Sequence, residues 1–167
     1  MELLRSSVHR LGYHQRRCGY VNPVTEQVDD FLSKYSPEIA TLGRAARRTM
    51  RQILPGWSEF IYDNYNALVF GFAPTDRPSD AIFSIALYPK WVRLFFLQAG
   101  PSLRDPQKLL SGTGTVVRSL VLTSAKDLDS PPVRALMAQA MKGITPLPSK
   151  KGSSVVRSVS ARQRPRR

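Results

Sequence analysis

Apolar positions recur along this chain in two rhythms. Residues 81–88 and 91–97 are short, mostly apolar runs separated only by Pro89-Lys90, and 116–122 is a third, entered through Gly112-Thr113-Gly114-Thr115. All three are rich in β-branched and aromatic residues and too short for typical helices. They predict strands, and the tight Pro-Lys spacer predicts that the first two are antiparallel neighbours. Residues 57–62 and 67–72, joined by the turn-forming Asp63-Asn64-Tyr65-Asn66, predict a hairpin.

The second rhythm is helical. Thr25 is a candidate N-cap for a helix carrying Val28, Phe31 and Leu32 on one face, and Ser36-Pro37 caps a longer helix that runs to about Leu54. In that second helix Ile39, Leu42, Ala46, Met50 and Ile53 mark the buried stripe, while Arg44, Arg47, Arg48 and Arg51 fall mostly on other faces and are expected to be solvated. Asp105-Pro106 predicts a short helical turn over 107–110. Ser130-Pro131-Pro132 predicts a third helix through Lys142, ended by Gly143. The order of elements defines an α+β domain: an antiparallel sheet of about five strands covered on one face by two N-terminal helices and one C-terminal helix.

Charge divides the chain into three parts. Of the formal net charge of +13, residues 1–22 and 145–167 together hold +10, which leaves +3 for the body. Residues 1–22 read as a basic flexible segment and 23–144 as the domain. Residues 145–167, made largely of Pro, Ser, Lys and Arg, read as a disordered basic tail that buries too little to offset its ordering entropy. Any nucleic-acid binding is then expected to be non-specific and carried by that tail. Cys18 is the sole cysteine, and no run of residues has the apolar length of a membrane helix, so a cytoplasmic protein that does not engage a membrane is expected.

Candidate chemistry is sparse. The loop Gly112-Thr113-Gly114-Thr115, flanked by Lys108 and Arg118, has the glycines, hydroxyls and cations of a small-anion site but lacks the rest of a P-loop. The bland alternative is a tight turn in which Arg118 pairs with a carboxylate such as Glu59 or Asp63. Tyr62, Tyr65, Tyr88, Trp91 and Phe95 could line a recess with Arg93 and Arg118 at its mouth, although strand aromatics more often belong to a core. Glu26, Asp29 and Asp30 share one helical face and could offer oxygen ligands to a hard cation, or simply compensate the helix dipole. Both histidines, His9 and His14, lie in the N-terminal segment, so no general base stands beside a nucleophile in the body. The expectation is a non-enzymatic binding or accessory module without a cofactor.

The series Glu59 to Leu68, Ile85 to Lys90, then Gly100, Leu103, Asp105-Pro106, Leu109-Leu110, Gly112, Gly114 and Arg118 resembles the YdhG-like domain family of unknown function. The resemblance covers roughly residues 24–143. It implies a frataxin-like arrangement of helices on an antiparallel sheet. Read from the residues themselves, the candidate ligand contacts are Lys108, Gly112, Thr113, Gly114, Thr115, Arg118, Glu59 and Tyr62. Some relatives are labelled iron chaperones, and under that alternative iron would be held by Glu26, Asp29 and Asp30. So basic a chain departs from the acidic surface that iron handling requires.

Overall fold

The computed structural model describes residues 23–144 and 152–167. Helices α1 (Pro23–Ser33) and α2 (Pro37–Ile53) precede strands β1 (Ser58–Asp63), β2 (Leu68–Ala73), β3 (Phe83–Leu87), β4 (Val92–Phe96) and β5 (Arg118–Leu122). Helix α3 (Pro131–Ala140) and strand β6 (Ser154–Val159) complete the chain. The six strands are ordered β5-β4-β3-β2-β1-β6. Every pairing is antiparallel except that of β6, which runs parallel to β1.

Alternation along the strands decides which face the helices cover. Three register rows stand on that face: Asp63, Leu68, Leu87, Val92 and Leu122; Ile61, Phe70, Ile85, Leu94 and Leu120; and Glu59, Phe72, Phe83, Phe96 and Arg118. Their apolar members are nearly all inaccessible, each contributing roughly 1.5–3 kcal/mol through burial. Onto them α2 lays Ile39, Gly43, Ala46 and Met50, α1 lays Val28, Phe31 and Leu32, and α3 lays Val133, Leu136 and Met137. Close approach explains Gly43: a Cβ there would lie 2.2 Å from Leu87 Cδ2. Ser36 caps α2 by accepting from the Ile39 amide at 3.4 Å, as the Ser-Pro signature predicts.

Four expectations change. Helix α1 begins at Pro23, so Thr25 lies inside it rather than capping it. No helix forms over 107–110; the chain only turns there, with Asp105 accepting from the Leu110 amide at 2.7 Å. Strand β5 starts at Arg118, and Val116 and Val117 are exposed.

The fourth concerns the expected disordered tail. Residues 154–159 form an edge strand, and Arg166 is buried at 4% exposure. An apolar count misses this because the segment is held by other means. It adds a backbone ladder to β1, packs Val156 against the core, and inserts a charged side chain beside a buried opposite charge. The part of the expected tail at 145–151, and the N-terminal segment 1–22 with His9, His14 and Cys18, lie outside the described residues.

Candidate functional site

Strand β1 presents two carboxylates to the helices, and both are enclosed by cations. Glu59 accepts from Arg47 through two bonds, Nε to Oε1 at 2.6 Å and Nη2 to Oε2 at 2.8 Å, and also from Ser154 Oγ at 2.6 Å. Arg51 stands 3.6 Å away. Asp63, fully buried, accepts from Lys34 Nζ at 2.5 Å, Gln163 Nε2 at 2.7 Å and Arg166 Nη2 at 3.2 Å. Geometry of this kind is structural: bidentate and charge-assisted bonds hold each buried carboxylate in place. Arg47 turns inward rather than lying solvated beside its helical neighbours.

Tyr35 completes the second cluster. Its hydroxyl donates to the Leu87 carbonyl at 2.9 Å and accepts from the Leu68 amide at 2.9 Å and from Arg166 Nη1 at 2.7 Å. Burial pushes the phenol up to about 12, the nearby Arg166 charge opposing that rise. Arg167 extends the seam, Nε donating to the Tyr35 carbonyl at 3.1 Å and Nη2 to that of Ser33.

The candidate ligand residues do not assemble. Glu59 and Arg118 stand on the same face and in the same register row, yet Phe72, Phe83 and Phe96 occupy the three strands between them. Four strand spacings put roughly 19 Å between their backbones. Arg118 pairs with neither Glu59 nor Asp63; its Nη1 donates to the Val117 carbonyl at 2.9 Å and to that of Gly114. The guanidinium thus braces the loop's own backbone. Gly112 is there for conformation, with φ at +119°. Gly112, Thr113, Gly114, Thr115 and Lys108 are all exposed. Tyr62, half-buried on the other face of β1, is remote from them across the sheet.

The acidic face of α1 is likewise not a metal centre. Asp29 binds Arg44 through Nη2 at 2.9 Å and Nε at 3.2 Å. Among the described residues no group of three or more His, Cys, Asp or Glu side chains is arranged to hold an ion, so Glu26, Asp29 and Asp30 do not converge.

What the fold does bring together is the end of the sheet formed by the β1–β2 and β3–β4 turns. Trp91 and Tyr65 are each 47% exposed, and Tyr88 lies 6.4 Å from Trp91 between ring centroids. The C-terminal segment runs past them: the Arg164 amide donates to the Tyr65 carbonyl at 2.9 Å, and the Arg164 guanidinium stacks 5.6 Å above the Tyr65 ring. A recess of about 480 Å³ lies between Asn66, Tyr88, Pro89, Lys90, Trp91 and Arg164. A second, of about 580 Å³, is lined by Tyr65, Ala161, Arg162 and Gln163. Of the aromatic recess expected from sequence, Tyr65, Tyr88 and Trp91 gather here. Arg93 instead donates to Ser119 Oγ at 2.9 Å, and the cations at the mouth are Lys90, Arg162 and Arg164. The signal available in the sequence was the acid-free, arginine-rich composition of residues 152–167; its position against the aromatics was not.

Among the described residues no helix is long and apolar enough to cross a membrane. Comparison with models of protein families, with curated proteins and with solved structures finds no match to this chain.

Proposed function

We propose that this protein is a non-enzymatic binding module, a YdhG-like domain on the motifs given above, that engages nucleic acid through phosphate-directed contacts at the turn end of its sheet. The observation that carries this reading is the ordered C-terminal segment, which adds Arg157, Arg162, Arg164, Arg166 and Arg167 to the folded body without a single acid. Arg157, Arg162 and Arg164 are exposed, whereas Arg166 is occupied by Asp63. Residues 64–75 and 81–104, which supply the neighbouring turns, also lack Asp and Glu. Neither recess at this end is lined by an acid, and the nearby Asp63 is paired with Lys34 and Arg166, so counterion release at the exposed cations would drive association with a polyanion.

Support for a non-enzymatic role comes from the buried carboxylates. Both are buried and bound by cations and hydroxyl or amide donors, so neither is exposed to a substrate. The anion reading of 112–115 is weakened because Arg118 is bound to that loop's own carbonyls. Iron lacks a convergent ligand set among the described residues.

A salt titration tests the proposal. Full-length protein should bind random-sequence oligonucleotides with affinity that falls steeply with salt. The double variant Arg162→Gln/Arg164→Gln should reduce the slope of log K against log[salt] by about two. Binding that is absent at low salt, or a slope unchanged in the variant, would remove the basis for this function.

A further inference from the structure

Positive charge alone accounts for attraction to phosphate and is indifferent to strandedness. The turn end also exposes aromatic rings beside the cations. Trp91, with Tyr88 at 6.4 Å, closes one recess, and Tyr65 stands at the second. Arg164, stacked on Tyr65, borders the first recess and so separates the two. Lys90 lies beside Trp91, and Arg162 lines the second recess beside Tyr65. Two half-exposed aromatics, each flanked by cations, beside recesses lined by no acid are the parts of a single-strand platform: bases stack on rings while guanidinium and ammonium groups follow the backbone. Duplex bases are already stacked on each other and cannot use such rings.

Resting on the nucleic-acid reading above, we infer that the turn end is a single-stranded nucleic-acid site, with Trp91 and Tyr65 as stacking platforms and Lys90, Arg162 and Arg164 as phosphate contacts. The fold fixes the backbone that carries both rings. The chain at Tyr65 is fixed by the hydrogen bond from the Arg164 amide to its carbonyl. Trp91 is fixed by the bond from the Tyr88 amide to its carbonyl at 2.9 Å, which closes the β3–β4 turn. Trp91 stands half-exposed beside Tyr88, while its neighbour Val92 supplies the buried contact to the core. Asn66 and Pro89 complete the walls of the first recess, and stacking on a ring face favours no particular base.

The test uses full-length protein with a fluorescein-labelled 20-mer of dT and a 20-base-pair duplex at one salt concentration. The wild-type protein should prefer the single strand. Trp91→Ala/Tyr65→Ala should weaken binding to the dT 20-mer by at least about 30-fold, as expected when two base-stacking contacts are removed together. Its duplex affinity should change less than about twofold. Trp91→Phe should recover much of the loss. In the wild-type protein, which has two tryptophans, the indole N–H resonance of Trp91 should shift on adding the dT 20-mer while that of the buried Trp57 does not. Equal affinity for both nucleic acids, equal losses for both in the double variant, or an unmoved Trp91 resonance would overturn the single-strand site and leave phosphate-directed binding standing. Failure to bind either nucleic acid at low salt would overturn both.

Discussion

Asp63 and Arg166, 103 positions apart in the chain, meet as a buried ion pair at 3.2 Å with their side chains 0% and 2% exposed. The guanidinium also serves Tyr35 and the Asn64 carbonyl, so it holds a helix end, a hairpin turn and the C-terminal segment together. Without Arg166, Asp63 keeps Lys34 and Gln163 as donors, while Tyr35 and the Asn64 carbonyl lose theirs. Arg166→Met should therefore lower stability by about 1–3 kcal/mol in urea unfolding, below the cost of a fully orphaned buried charge. Adding Asp63→Leu to that variant should restore part of the loss, because the carboxylate left short of one cation goes with it. A single variant indistinguishable from wild type would show that the pair does not hold the C-terminal segment.

Deleting residues 152–167 should not be neutral. The deletion removes β6, Arg166 and Gln163 together and exposes the unpaired edge of β1. The melting temperature should fall by roughly 6–20 °C, as a loss of about 3–5 kcal/mol implies for a chain of this size. Size-exclusion chromatography should show association through the open edge. A truncated protein that melts with the full chain would contradict the ordered segment.

Alkaline pH should act through Tyr35. Its folded-state value near 12 lies above the ordinary 10.0, so between those values the unfolded chain has lost the proton that the folded chain retains. The stability due to this group is complete below pH 10 and declines as pH rises from 10 to 12. Tyr35→Phe should flatten that decline while lowering stability at neutral pH, since the Leu68 amide and Leu87 carbonyl lose their partner at about 1–3 kcal/mol for each group left unsatisfied. Urea midpoints measured across this range for both proteins give the comparison.

Gly43→Ala should cost about 1–3 kcal/mol by overpacking, because the new methyl would meet the fully buried Leu87 at 2.2 Å. Leu87→Val in the same chain should relieve the strain, making the pair of changes less damaging than their sum. Additive losses in thermal unfolding would show that α2 can shift away from β3 instead.

Five strands and three helices were legible because each carries a local pattern: β-branched runs at 81–88, 91–97 and 116–122, and helical periodicity at 37–53. Strand β6 was not, although Val155, Val156 and Val159 satisfy a strand preference. Its stability depends on Glu59 and Asp63, residues that no local window includes. Arg47 was misread for the same reason: its helical position suggests solvent, and only the sheet supplies the carboxylate that draws it inward. At the turn end Tyr65, Tyr88 and Trp91 could be grouped from hairpin spacing, but Lys90 was not placed with them, and Arg162 and Arg164 arrive from a segment whose path is a tertiary fact.

The parallel pairing of β6 with β1 sets an order of events. Hairpins β1–β2 and β3–β4 close over short loops, whereas β6 must find a strand that precedes it by about ninety residues in the chain, the most distant pairing in the sheet. Docking of that strand should follow the folding transition state rather than help to form it. Changes at Val156 or Arg166 would then accelerate unfolding and leave the refolding rate nearly untouched, while changes at Ile85 or Leu94 slow refolding. The lifetime of the native state would thus be governed by its last-formed edge, and so would the presence of Arg164 beside Tyr65.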